Sequence, residues 1–132
     1  MRRAAIVVLC AAAFAAPASA SPTVRLAIVH VMRGCHVFAT ATKQLGASTT
    51  LTVAHGTRLE LRITCPMDFD VAQTSGPALA LPSRLYAGTS TTIVFAKRGF
   101  YAFTATNVQT PEQLGLQTMG PTNTLVLRIR VT

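Results

Sequence analysis

Hydrophobic and polar positions alternate in twos through most of this chain. The clearest run is Arg58-Leu59-Glu60-Leu61-Arg62-Ile63, with three aliphatic side chains on one side and three charged ones on the other. That period belongs to a strand with one face in a core and one in water. Leu51 and Val53 continue it upstream, and Ala54-His55-Gly56-Thr57 between the two runs predicts a turn. At the far end Leu125, Leu127, Ile129 and Val131 predict an inward face, with Arg128 and Arg130 toward solvent. Residues 24–32 are almost continuously apolar and rich in β-branched side chains, which predicts a strand covered on both faces. Residues 89–96 lead through Lys97-Arg98-Gly99 into the alternating aromatics Phe100, Tyr101 and Phe103, which predicts a hairpin.

The breaks are as regular as the runs. Gly34 interrupts the first apolar stretch before residues 35–40 resume it, and residues 43–48 turn polar. Pro66 cannot donate to a ladder, so the pattern stops there and restarts at Phe69. Gly76, Pro77 and Pro82 mark an irregular crossover through residues 75–84. Residues 107–123 form a long connection, in which Thr110-Pro111 could cap one helical turn. Together these signals predict an all-β, Greek-key β-sandwich of about seven to eight strands.

Composition adds a compartment. Arg2-Arg3, an apolar run over residues 4–16 and Ala18-Ser19-Ala20 make up the three parts of a secretory signal, so residues 1–20 are set apart as a signal peptide. Cys10 follows Leu9 where lipid attachment wants a small residue. Residues 21–132 then form a single domain, exported to a periplasm or the outside, with no transmembrane segment left after cleavage. The mature chain keeps ten basic and four acidic side chains, a net charge of +6 with neutral His. That balance favours an anionic surface, an envelope component or a protein partner not identifiable from sequence. The basic residues are scattered, with only Lys97 and Arg98 adjacent, and export argues against nucleic acid.

Two cysteines remain, Cys35 and Cys65, and an even count in an exported protein predicts a disulfide between them, with a thiolate metal ligand as the rival reading. His36, beside one of them, is the strongest functional candidate of the three histidines, His30 reads as a packed or edge residue, and His55 as a loop residue. The only acids are Glu60, Asp68, Asp70 and Glu112. Asp68 and Asp70 share a side of their segment but read as solvated loop-end residues, and no nucleophile elbow or His-x-x-x-His pair accompanies them. No enzymatic machinery is therefore expected.

The segment Gly99-Phe100-Tyr101-Ala102-Phe103, the run Leu51-Thr52-Val53 leading to Gly56, the break before Phe69 and Met119-Gly120 before the last strand occur in an order that resembles the cupredoxin family over residues 51–131. The resemblance implies that fold and, in members that bind copper, a Cys at the end of a Gly-x-Tyr-x-Phe-x-Cys strand with two His and often a Met. Here Ala105 stands at the Cys position, no His lies near residues 67–69, and none follows His55. Blue-copper electron transfer is therefore not implied, because that centre needs two imidazoles and a thiolate on one metal. The sequence reads as an exported, non-enzymatic binding or structural module without a cofactor, acting through loops such as the one containing Gln113, Leu114 and Gln117. The alternative is a copper-handling protein, a carrier or sequestering factor for Cu(I), with His36, Met67 and Met119 as ligands.

Overall fold

The structure, a computed structural model, describes residues 20–31, 35–108 and 124–132. These form ten strands: β1 (Thr23–Val31), β2 (Cys35–Ala39), β3 (Gln44–Gly46), β4 (Ser48–Val53), β5 (Arg58–Ile63), β6 (Asp68–Ser75), β7 (Arg84–Leu85), β8 (Ser90–Val94), β9 (Gly99–Val108) and β10 (Thr124–Val131). There are more strands than the seven to eight expected, because short β3 and β7 add edges that carry too few residues to show a period. One five-stranded sheet runs β3-β2-β1-β5-β8 and the other β4-β10-β9-β6-β7. Spatial neighbours are often distant in sequence, as in a Greek-key sandwich.

Two predicted turns are crossings between sheets. β5 pairs with β1 and β8, whereas β4 pairs with β10, so residues 54–57 carry the chain from one sheet to the other. Gly56 turns with φ 80°, and its amide donates to the Phe95 carbonyl at 2.8 Å. The expected hairpin through Lys97-Arg98-Gly99 is also an arch: β8 pairs with β5, and β9 with β10 and β6. Phe95 is fully buried within the arch, and the Tyr101 hydroxyl donates to the Lys97 carbonyl at 2.6 Å, tying the new strand to its own turn. Alternation is the same whether the next strand pairs beside its predecessor or packs across from it, so the pattern alone does not choose.

β1 is not covered on both faces. Only Leu26 and Ile28 are buried, while Ala27, Val29 and Val31 are half-buried on the outer side. Across the sandwich Leu61, Phe103 and Leu127 meet, together lining a cavity of about 10 Å³, room for one water at most. Phe103 stacks with Tyr101 at 6.5 Å between ring centroids, and Phe95 packs edge-on against Tyr101 at 5.0 Å.

The end of β1, start of β2, end of β5, start of β6, end of β9 and start of β10 all lie at one end of the sandwich, as the registers and the short 64–67 connection require. At the other end, the chain leaving β6 passes close under the start of β9. Gly76 has φ +101°, and a Cβ there would overlap the Phe100 carbonyl oxygen and lie 2.9 Å from Tyr101 Cα. Gly76→Ala should therefore lower stability by about 2–4 kcal/mol, strain and backbone overlap combined. Gly56→Ala, with φ +80° and nothing within 4 Å, should cost only about 1–2 kcal/mol. Urea midpoints of the two variants check the order.

Candidate functional site

The site begins with the β1–β2 register. His36 on β2 sits directly opposite His30 on β1, and both lie on the inner side set by Ile28 and Phe38. His30 is exposed at the rim, whereas His36, one strand over, has no exposed surface. The His36 ring packs edge-on against His30 at 5.3 Å and against Phe69, from the facing sheet, at 5.2 Å between centroids. Neither of its ring nitrogens has a hydrogen-bond partner among the described residues. Buried polar groups are nearly always paired, and an unpaired one costs free energy, so this imidazole is out of the ordinary. Burial pushes its pKa below the ordinary 6.5, and the neighbouring His30 pushes the same way.

Two sulfurs accompany it. Cys65, just beyond β5, is a free and buried thiol whose Sγ lies 3.9 Å from the Met67 carbonyl. Burial raises the thiol pKa, and the backbone contact at Met67 opposes that shift. Met67 is itself buried, and the Asn107 side-chain amide donates to its Sδ at 2.9 Å. Cys65, Met67 and Phe69 share one core cluster, and His36 stands against Phe69.

The expected Cys35–Cys65 disulfide is not formed. Cys65 is free, and the reason is the strand order: Cys35 pairs with Val31 on one side of β1, while β5 and the residues just after it run along the other. The Thr64 amide still bonds the Ile28 carbonyl, so Cys65 stays beside β1. Two inter-strand spacings separate the two backbones, about 9–10 Å, against a usual Cα separation of roughly 4.4–6.8 Å in a bridge.

The three acids among the described residues have structural partners. Asp68 is buried, not solvated, and accepts from the Ala87 amide at 2.9 Å. Asp70 accepts two hydrogen bonds from Arg84, at 2.7 and 3.2 Å, and these hold its carboxyl below the usual range. Glu60 pairs with Arg25 at 3.4 Å on the outer face of β5 and β1. Arg130 covers the exposed ring of Phe100 at 4.7 Å. His55 is an exposed loop residue at the opposite end, its Nε2 2.8 Å from the Ala96 carbonyl.

Of the predicted site residues, the structure gathers His36, Cys65 and Met67 at one end of the sandwich. Met119, Gln113, Leu114 and Gln117 lie outside the described residues. Among the described residues no three of His, Cys, Asp and Glu are grouped to hold a metal, and no helix is long and apolar enough to cross a membrane. Ala105, at the position where the cupredoxin resemblance implies a Cys, is buried in the core, so a type 1 copper set does not fit this chain. Two members of the site escape sequence reasoning. Asn107 shows no period, and Phe69 reads simply as core, although its inward parity would align it with Met67.

A search of family models and of curated proteins returns no match. Solved structures are similar in fold. Rusticyanin from Thiobacillus ferrooxidans is 15% identical, with 86% of this chain and 79% of that chain covered and a TM-score of 0.40. A second structure, of the copper protein rusticyanin, is 15% identical over 86% and 80%, with a TM-score of 0.42. A multi-copper oxidase from Pseudomonas thermotolerans is 13% identical, with 86% of this chain and 30% of that chain covered and a TM-score of 0.43. This chain therefore spans under a third of that oxidase. At these TM-scores no metal, activity or location carries across.

Two outcomes follow from the geometry. The intact mass of the folded protein should be the same with and without reductant, and Cys65 should react with an alkylating reagent only on unfolding. His36, with its folded pKa below the unfolded value, binds fewer protons folded than unfolded in the interval between them. Its stability contribution is complete above that interval and falls as pH drops through it. Urea midpoints taken from about pH 8 to about pH 5 should fall, and fall less in a His36→Leu variant.

Proposed function

We propose that this chain is an exported, non-enzymatic binding module that receives a ligand at the His36 end of its sandwich. One observation carries the reading: a fully buried imidazole, packed between the rim histidine His30 and the Phe69 ring, with neither nitrogen partnered among the described residues. Such a ring destabilises the unliganded domain, and a ligand that takes up a ring nitrogen relieves the cost. Among the described residues the three acids, Asp68, Asp70 and Glu60, are engaged by Ala87, Arg84 and Arg25, which favours holding over turnover. The N-terminal residues 1–20 support export, and scattered basic residues on both outer faces suit an anionic envelope surface or a protein partner.

The test turns on the sign of a stability change. A His held for structure loses stability when replaced, whereas an unsatisfied one kept for a ligand gains it. His36→Leu should raise the stability of the unliganded mature domain by about 1–3 kcal/mol, read from chemical denaturation at neutral pH. Loss of stability in that variant would show the ring to be satisfied in solution and would remove the reading.

A further inference from the structure

We propose that the end of the sandwich opposite His36, where the arch from β8 to β9 lies, docks the domain on an anionic lipid surface. Nothing in this inference needs a ligand at His36. Val94 closes β8 and Phe100 opens the pairing of β9 with β10, and both stay exposed, at 45% and 60%, although they are large and apolar. Each has an arginine directly across its ladder. Arg58 stands opposite Val94 in one sheet, and Arg130 opposite Phe100 in the other. Between these two rims the arch exposes Lys97 and Arg98. The ion pairs among the described residues include none of these cations. Acids lie elsewhere: Asp68 and Asp70 are toward the His36 end, opposite Val108 and Thr106, and Glu60, nearer the arch, is engaged by Arg25.

The pairing of apolar with cationic side chains selects the partner. A soluble polyanion can use the charge, but it offers Val94 and Phe100 no apolar phase to enter. A lipid surface supplies both, phosphates for the basic groups and an acyl boundary for the aromatic ring. The Arg130 guanidinium lies 4.7 Å over the Phe100 ring, so cation and apolar group meet the surface together. The arch is also held rigid before it docks. Phe95 is fully buried within it, the Tyr101 hydroxyl donates to the Lys97 carbonyl at 2.6 Å, and His55 Nε2 lies 2.8 Å from the Ala96 carbonyl. Docking therefore orders little backbone, and its entropic cost falls mainly on exposed side chains. A domain held by this end turns its His36 end away from the lipid.

The experiment uses residues 21–132, which hold every strand of the sandwich, and co-sedimentation with phosphatidylcholine vesicles made with or without phosphatidylglycerol. The protein should bind only the vesicles containing phosphatidylglycerol, and binding should fall as salt rises from about 0.05 to about 0.5 M. A Lys97→Gln, Arg98→Gln double variant should bind about 30-fold more weakly, and Phe100→Ser about 10-fold more weakly. An Arg62→Gln, Arg128→Gln double variant removes the same charge away from the rims and should stay within about 3-fold of the wild type. Dextran sulfate, a polyanion without an apolar phase, should bind wild type and Phe100→Ser alike. Circular dichroism confirms that each variant is folded. Failure of the folded wild type to bind phosphatidylglycerol vesicles would overturn the proposal. So would equal losses in the two double variants, which would reduce the effect to net charge, or vesicle binding undiminished in Phe100→Ser, which would make the partner a soluble polyanion. Vesicle binding and the stability of His36→Leu are separate readouts, so either reading can fail alone.

Discussion

The parallel pairing of β1 with β5, in register from Thr23 opposite Arg58 to Ile28 opposite Ile63, is the constraint on which the rest of the molecule depends. A parallel pair cannot be closed by a tight turn, so the chain between the two strands must leave the sheet and return. It does so through β2, β3 and β4, the last of which joins the opposite sheet beside β10, again in parallel. Both sheets are thereby stitched by strands from distant parts of the chain. The same register places the ends of β1 and β5 together, bringing His30, His36 and Cys65 to one end while keeping Cys35 on the far side of β1.

How much of this was legible in the sequence depends on the kind of information asked for. Which residues face inward follows from parity, and Leu59, Leu61, Ile63, Leu125, Leu127, Ile129 and Val131 are all buried as their alternation predicts. Which strand lies next to which does not follow, because a run such as residues 49–53 followed by residues 58–63 has the same pattern in a hairpin as in a sheet-to-sheet crossing. Gly56 and Gly99 are compatible with either. The disulfide fails for a related reason. Cysteine count and compartment speak to redox state, and only strand order speaks to distance. Asp68 was misread because polarity at a segment boundary suggests solvent, whereas the Ala87 amide satisfies this carboxylate under cover.

His36 shows the limit most clearly. Sequence singles it out as the neighbour of a cysteine expected to be bridged, a bridge the structure does not contain. What distinguishes it is burial without a partner among the described residues, a property that requires the β1–β2 register, the Phe69 ring from the other sheet and the rim position of His30 all at once. No window of the sequence contains these together. A leucine at the same place would pack as well and leave nothing unpaired, so the imidazole works against the fold that surrounds it.

The position of the sulfurs sharpens that conflict. The cupredoxin resemblance implies a sulfur at the end of β9, yet that position is Ala105, whose methyl group fills core between Leu61, Phe103 and Leu127. The sulfurs instead lie on the 64–67 connection, where the chain crosses from β5 to β6 and the interior is least regular. A crossing of this kind offers backbone carbonyls and bends that a strand centre does not, and Cys65 and Met67 use it: one sulfur approaches the Met67 carbonyl and the other the Asn107 amide. Soft, adaptable side chains suit such a crossing, since they fill irregular space that a branched aliphatic would leave void, while the regular strands on either side hold the His36 end in place.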